Sequence, residues 1–111
     1  MDHMLKAEIE RLVADLVAGR YADIEAGWRR SRLSEQELRT VVEEYGRTLV
    51  PLPNSAWDLV DEYQRDNEPH TVSVDVPLWT AEEGRSDLTL TLTATKWEGK
   101  YMLEVDDLHV L

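Results

Sequence analysis

The chain has 111 residues, of which 42% are hydrophobic, a size that suits one domain and excludes a multidomain enzyme. Its 23 acidic and 12 basic residues give a formal net charge of -11, which argues against a protein that binds nucleic acid or an anionic membrane surface. Because the chain has no cysteine, it forms neither disulfides nor thiolate metal sites.

The first residues read Met-Asp-His-Met, which has the form of a cloning remnant ahead of a start at Met4. We therefore expect residues 1–3 to be a remnant and residues 4–111 to form a single domain. Charged residues interrupt the apolar residues over 5–17, a pattern that indicates neither a signal peptide nor a membrane span. Together with the lack of cysteine, this predicts a cytoplasmic protein.

Two helices are predicted in the first part of the chain. Apolar residues recur at helical spacing over residues 5–17, with charged residues on the opposite side, and Gly19 is a natural stop. A second, shorter helix is predicted over residues 21–28. It would carry three large side chains on one side: Tyr21, Ile24 and Trp28.

A third helix has the clearest local signal in the chain. Ser34 fits the N-cap position and Glu37 the third helical position, the combination that forms a capping box. Leu33 and Leu38 are spaced to pack against each other across the cap, and Gly46 would end the helix. The predicted buried stripe consists of Leu38, Val41, Val42 and Tyr45.

Strands are predicted in the second half of the chain. Pro51 and Pro53 prevent a helix from continuing after Leu49, and the periodicity changes towards two. Valines alternate with polar residues over 71–76, and leucines alternate with threonines over 88–95. Each pattern is typical of a strand with one apolar face.

A returning strand is predicted after the Leu/Thr strand. Glu98 and Gly99 supply a two-residue turn, and apolar residues alternate again over 101–105. Residues 107–111 extend this strand in our interpretation.

Residues 57–64 fit two structures. With Asn54 or Ser55 as the cap, the segment would form a short helix. With a turn over residues 65–69, it would instead form an edge strand paired with residues 71–76. We favour the strand.

This order of elements predicts an α+β fold, with two to three N-terminal helices packed on one face of a three- to four-stranded antiparallel meander. The charge is uneven along the chain. Residues 1–50 hold 10 acidic and 8 basic residues, whereas residues 51–111 hold 13 acidic and 4 basic residues. The strand half therefore carries most of the negative charge, and a partner bound there is expected to be neutral or basic.

Two segments carry a resemblance to a known family. Residues 78–90 read Leu-Trp-Thr-Ala-Glu-Glu-Gly-Arg-Ser-Asp-Leu-Thr-Leu, and residues 106–111 read Asp-Asp-Leu-His-Val-Leu. They resemble a family of small uncharacterised bacterial domains that has no assigned activity, so the resemblance implies no catalytic residue. The order of helices and strands is also similar to the nuclear-transport-factor-2-like cone, although the chain is short for that fold.

The segment between the two central strands is the predicted partner-binding surface. It places three carboxylates and one arginine around Gly84, next to a tryptophan of the kind that anchors interfaces. The residues proposed for contact are Trp79, Glu82, Glu83, Arg85 and Asp87. A solvated hairpin turn is the alternative interpretation of the same composition.

A pocket between helices and sheet is the second candidate site. Its predicted lining residues are Trp28, Tyr45, Trp57 and His109. Aromatic side chains of this kind are more often part of an ordinary core.

No metal site is expected. Asp106, Asp107 and His109 lie close in sequence, and His70 is a further candidate, but one strand face offers only an Asp and a His to a metal.

The sequence contains neither a nucleophile elbow nor a Gly-rich phosphate loop. It therefore favours a non-enzymatic bacterial domain, with no catalytic residues and no cofactor, that binds a protein partner, for example as an immunity-like protein against a basic toxin. A homodimer paired through the threonine strand is a further arrangement. The alternative is a cone-like domain that binds or turns over a small molecule in its pocket.

Overall fold

A computed structural model describes residues 1–111 as two α-helices, two short 3-10 helices and six β-strands. The α-helices are α1 (His3–Val17) and α2 (Glu35–Tyr45), and the 3-10 helices span Tyr21–Glu25 and Asn54–Leu59. The strands are β1 (Arg29–Ser31), β2 (Leu49–Val50), β3 (Asp61–Gln64), β4 (Thr71–Thr80), β5 (Gly84–Trp97) and β6 (Lys100–Val110). Neither α-helix has the length and apolar character that crossing a bilayer requires.

Helix α1 forms where the apolar periodicity predicts it. Its carboxylate cap is Asp2, which accepts a hydrogen bond from the Met4 N–H at 2.7 Å. The buried side chains of the helix are Leu5, Ile9, Leu12, Val13 and Leu16. The prediction of this helix is confirmed.

Helix α2 begins at the predicted capping box. Ser34 Oγ accepts from the Glu37 N–H at 3.0 Å, and Glu37 Oε1 accepts from the Ser34 N–H at 3.0 Å. Gly46 ends the helix in the left-handed conformation, with φ of 71°. Of the predicted buried stripe, only Leu38 is fully buried, whereas Val41, Val42 and Tyr45 are partly buried against the core.

The sheet is mixed and six-stranded, in the order β1-β6-β5-β4-β2. Strands β4, β5 and β6 pair antiparallel, whereas β1 pairs parallel with β6. Strands β2 and β3 both pair with β4, β3 along residues 72–75 and β2 along residues 79–80. The sheet curls into a half-barrel.

The predicted three- to four-stranded antiparallel meander is therefore wrong. Strands β1 and β2 contain three and two residues, too few for an alternating pattern to reveal them. The second predicted helix is also shorter than expected. Trp28 lies outside it, and its side chain is 53% exposed.

Residues 57–64 contain both of the structures that the sequence allowed, first a helix and then a strand. The 3-10 helix continues through Leu59, and Asp61–Gln64 then pairs antiparallel with β4. The favoured strand is confirmed for these last four residues. The predicted Glu98–Gly99 turn is confirmed as well, since β5 ends and β6 begins on either side of it.

Strand β6 contains a bulge. Thr91 pairs with Asp107 and Leu92 pairs with Val105, which leaves Asp106 as an extra residue. The alternation of side chains therefore changes phase at this point, so that Val105 and Leu108 face the same side of the sheet although they are three residues apart.

A single core of 19 buried residues fills the space between the sheet and the helices. Strands β4 to β6 contribute ten of its members: Val74, Val76, Leu78, Leu88, Leu90, Leu92, Ala94, Leu103, Val105 and Leu108. Helices α1 and α2 and the first 3-10 helix cover this side. The other side of the sheet carries the alternate, mostly polar residues.

Candidate functional site: the outer face of the sheet

We call the side of the sheet opposite the core the outer face. It is formed by alternate residues of the six strands and by the bulge residue of β6: Arg30 on β1; Val50 on β2; Asp61 and Tyr63 on β3; Thr71, Ser73, Asp75, Pro77 and Trp79 on β4; Arg85, Asp87, Thr89, Thr91, Thr93 and Thr95 on β5; and Met102, Glu104, Asp106, Asp107 and His109 on β6. All the buried side chains of α1, α2 and the first 3-10 helix belong to the core on the other side. Trp57 of the second 3-10 helix also packs against the core, so no helix covers the outer face.

A row of hydrogen bonds crosses the outer face near its centre. Arg65, from the segment after β3, donates from Nε to Ser73 Oγ at 3.0 Å and from Nη2 to Thr93 Oγ1 at 2.8 Å. The Thr93 hydroxyl donates in turn to Asp106 Oδ2 at 2.6 Å. Because these bonds join three neighbouring strands, they fix the side chains in one arrangement.

The row ends at a buried carboxylate oxygen. Asp106 Oδ1 is buried and accepts no hydrogen bond, and Arg32 Nε lies 3.4 Å from it, outside good hydrogen-bond geometry. The same Arg32 nitrogen lies 3.8 Å from Glu104 Oε1. Arg32 therefore contributes charge rather than a hydrogen bond to this end of the row.

Carboxylates are concentrated along the outer face. Asp61 and Asp75 lie directly opposite each other on β3 and β4, an arrangement of like charges that destabilises a strand pair. Asp75 Oδ1 accepts from the Thr91 hydroxyl at 3.0 Å. The charge of Asp61, together with partial burial and the charge of Asp75, raises the pKa of Tyr63 above its usual value.

Two of the predicted partner-binding residues are engaged within the chain. Glu82 accepts from the N–H of Thr48 at 2.8 Å and from its hydroxyl at 2.9 Å, and these bonds lower the pKa of Glu82. Glu83 accepts from the Tyr45 hydroxyl at 2.9 Å and from the Thr80 hydroxyl at 3.1 Å. These two carboxylates hold the β4–β5 turn against the segments next to α2 and β2.

The other three predicted partner-binding residues lie on the outer face. Trp79 is half-buried and pairs in register with the exposed Arg85. Asp87 is exposed, and its N–H donates to the Tyr45 hydroxyl at 3.3 Å, which leaves the carboxylate facing solvent. The structure thus brings Trp79, Arg85 and Asp87 onto the same surface as the hydroxyl row.

The predicted pocket residues lie in different places. Trp28 lines an open groove of about 620 Å³ between α1 and the start of β6, together with Tyr101 and Lys100. Tyr45 and His109 line another groove, of about 420 Å³, between α2 and the end of β6. Trp57 packs against the edge of the core with the Lys6 ammonium 5.2 Å from its ring centroid.

The candidate metal ligands are also dispersed. His109 Nδ1 lies 3.2 Å from Asp107 Oδ2, whereas His70 lies beside Trp97 in a groove near the β5–β6 turn. No group of three or more His, Asp and Glu side chains is arranged to hold a metal ion.

No pattern in the sequence identifies Arg65 and Arg32 as outer-face residues. Both lie in short connections, and each reaches a strand that is distant in sequence: Arg65 contacts Thr93, and Arg32 approaches Asp106. The alternating threonines of β5 were the available signal, because they predicted a polar sheet face.

Comparison with protein families gives one match. Residues 13–111 match a family described as a domain of unknown function, DUF7668. No curated protein and no solved structure matches the chain. The predicted membership of a family without an assigned activity is confirmed. The match covers most of the chain, which therefore belongs to the DUF7668 family.

Proposed function

We propose that this domain is a non-enzymatic module that binds a basic protein partner through the outer face of its sheet. The observation that carries the proposal is a sheet face that no helix covers and on which carboxylates outnumber cations. An immunity-like protein that blocks a basic toxin is one concrete form of this function.

The charge of the outer face supports a basic partner. The outer face has six carboxylates, which belong to Asp61, Asp75, Asp87, Glu104, Asp106 and Asp107, and the cations on or beside it belong to Arg30, Arg32, Arg65 and Arg85. Complementary charge accelerates encounter and suppresses partners of the same sign. For the same reason, two copies of this face repel each other, which argues against the face-to-face homodimer.

The rigidity of the outer face supports binding as well. Side chains that are already fixed lose little conformational entropy when a partner arrives. Arg65, Ser73, Thr93 and Asp106 are held by the hydrogen-bond row described above. Trp79 adds an aromatic anchor of the kind that contributes most to interface energy.

The test compares three baits in affinity capture from a lysate of the source cells, at low and high salt. The baits are the native protein, an outer-face variant (Asp61→Asn with Asp87→Asn) and a control variant (Glu10→Gln with Glu43→Gln). All four changed side chains are exposed, and each variant loses two negative charges. Far-UV circular dichroism and thermal melts verify that all three proteins fold alike.

We expect a basic protein that the native and control baits retain, that the outer-face variant retains at least severalfold less, and that high salt releases. Equal retention by the outer-face and control variants would show that overall charge, rather than this surface, is recognised. That result, or the absence of any basic protein retained by the native bait, would overturn the proposal.

A further inference from the structure

One edge of the sheet is only partly paired. Strand β1 covers β6 at residues 103–105, and the last backbone hydrogen bond between them runs from the Arg32 N–H to the Val105 carbonyl at 2.8 Å. Beyond the position opposite Val105, the chain leaves β1 and continues into α2. Residues 107–110 of β6 therefore pair with β5 on one side and with no strand on the other.

The register identifies which backbone groups face this open edge. The Leu111 N–H donates to the Asp87 carbonyl at 2.9 Å, so the backbone of Leu111 points towards β5. Because successive residues of an antiparallel strand alternate, the backbone groups of Val110 and Leu108 point away from β5. The Leu108 N–H accordingly donates to the side chain of the preceding residue, Asp107 Oδ1, at 2.9 Å.

Asp107 thus caps the open edge in the unbound chain. A charged side chain at a sheet edge discourages unwanted pairing with other strands. The cap occupies one donor only, and a carbonyl from an added strand can replace it. The displaced carboxylate then becomes free to pair with a cation.

A largely apolar groove lies next to the same edge, between α2 and the end of β6. Its volume is about 420 Å³, and its lining consists of Val41, Tyr45, Leu108 and Val110 together with the polar Glu44 and His109. Val110 is 54% exposed, an unusual position for a valine with its side chain on the core side of a sheet. On the other side of the same edge lie Asp107 and the outer face.

We propose that a segment of the partner adds a strand to β6 along residues 107–111, and that this segment alternates apolar and basic residues. In such a strand, successive side chains point to opposite sides of the sheet. Apolar side chains would enter the groove beside Leu108 and Val110, and basic side chains would lie over Asp107 and the outer face. This inference rests on the proposed function, because it assigns the basic residues of the partner to the acidic face.

The test uses a synthetic peptide, acetyl-Lys-Val-Lys-Val-Lys-Val-amide, titrated into the full ¹⁵N-labelled chain. Two modified peptides carry N-methyl groups on all valines or on all lysines. In an added strand, one of these sets of backbone N–H groups faces β6 and the other faces solvent. N-methylation alters only the peptide, so the folding of the protein is not in question.

We expect binding with slowed hydrogen exchange at the Leu108 and Val110 amides, and the loss of binding with one of the two N-methylated peptides. The side-chain contact is tested by Val110→Ser, with Leu59→Ser as the control at another exposed apolar residue. Val110→Ser should lower the affinity for the peptide by about fivefold or more, and Leu59→Ser should leave that affinity unchanged.

Two results would overturn the proposal that a partner strand adds to β6. If both N-methylated peptides bind like the parent and shifts are confined to the outer face, the edge is not used, while the proposed function stands. If no peptide binds, the edge does not accept this class of strand. The capture comparison with the charge variants then judges the proposed function separately, since it does not depend on the peptide.

Discussion

The hydroxyl of Tyr45, at the end of α2, donates to Glu83 Oε1 at 2.9 Å, and Glu83 lies 38 residues later in the turn between β4 and β5. The same hydroxyl accepts from the Asp87 N–H at 3.3 Å. One side chain therefore joins a helix to the β4–β5 turn and to the strand that follows it. Burial and the bond to Glu83 raise the pKa of Tyr45 above its usual value, as expected for a hydroxyl held next to a carboxylate.

Replacing Tyr45 with Phe removes this hydroxyl and keeps the ring. We expect the free energy of unfolding to fall by about 1 kcal/mol, the usual contribution of such hydrogen bonds. Urea denaturation at neutral pH measures the change. In a Glu83→Ala background the same replacement should cost clearly less, and an equal cost in both backgrounds would contradict the contact.

The ion pair between Arg29 and Asp15 joins β1 to α1. Arg29 Nη1 lies 2.5 Å from Asp15 Oδ2, and both side chains are largely buried, 13% and 15% exposed. Arg29→Met should lower the free energy of unfolding by about 2 kcal/mol, because it leaves the carboxylate with one partner fewer. Arg20→Ala removes the exposed partner of Asp15 and should cost less than about 0.5 kcal/mol. Similar losses for the two variants would show that burial does not strengthen the inner pair.

The same carboxylate predicts a dependence on pH. Burial opposes ionisation of Asp15, but hydrogen bonds from Arg29 and Arg20 outweigh it and hold its pKa below the usual 3.8. The ionised group therefore stabilises the fold above pH 3.8, and this contribution is lost as the pH falls through the lowered pKa of the folded state. The difference in stability between the native protein and Asp15→Asn should shrink from about pH 5 to about pH 2. A difference that stays constant would contradict the lowered pKa.

Thr93 and Thr89 form a matched pair on β5. Both are buried on the outer face, but Thr93 accepts from Arg65 and donates to Asp106, whereas Thr89 makes only a contact of 3.4 Å with the Asp87 carbonyl. Thr93→Val should lower the free energy of unfolding by about 1–2 kcal/mol, because Arg65 loses its acceptor and Asp106 loses its donor. Thr89→Val should be nearly neutral, because valine suits a strand. Equal effects in thermal melts would argue against the hydrogen-bond row.

The two-residue turn between β5 and β6 has positive φ at both positions, 48° at Glu98 and 78° at Gly99. This is the geometry of a type I′ turn, in which asparagine is much better tolerated than glutamate at the first position. Glu98→Asn should raise the free energy of unfolding by about 0.5 kcal/mol, and Gly99→Ala should lower it by about 1 kcal/mol. Both changes can be measured by urea denaturation, and a destabilising Glu98→Asn would contradict the turn geometry.

The elements that sequence analysis predicted are those with a local signal. The capping box of α2 and the Glu98–Gly99 turn each depend on residues within a few positions of one another. Strand β1 has no such signal, because a parallel partner brings Arg29 next to Leu103 from the far end of the chain. For this reason, the number of strands in the sheet could not be predicted from the sequence.

The candidate site was predicted in part for a similar reason. Alternation along β5 identified a polar sheet face, since alternation is a local property. The engagement of Glu82 by Thr48 and of Glu83 by Tyr45 joins residues 34 and 38 positions apart, which no spacing in the sequence reveals. Carboxylates that looked available to a partner are consequently already occupied.

The bulge at Asp106 has a consequence for how the chain can change in length. Asp106 resets the alternation of β6, so that the four residues after it present Leu108 and Val110 to the core side and Asp107 and His109 to the outer side. Deleting this one residue would remove the bulge and leave a regular strand, in which Asp107 follows Val105 directly and every later side chain keeps its side of the sheet. The bulge is therefore a place where the strand can lose one residue and keep both sides intact, at the cost of the hydrogen bond from Thr93 to Asp106.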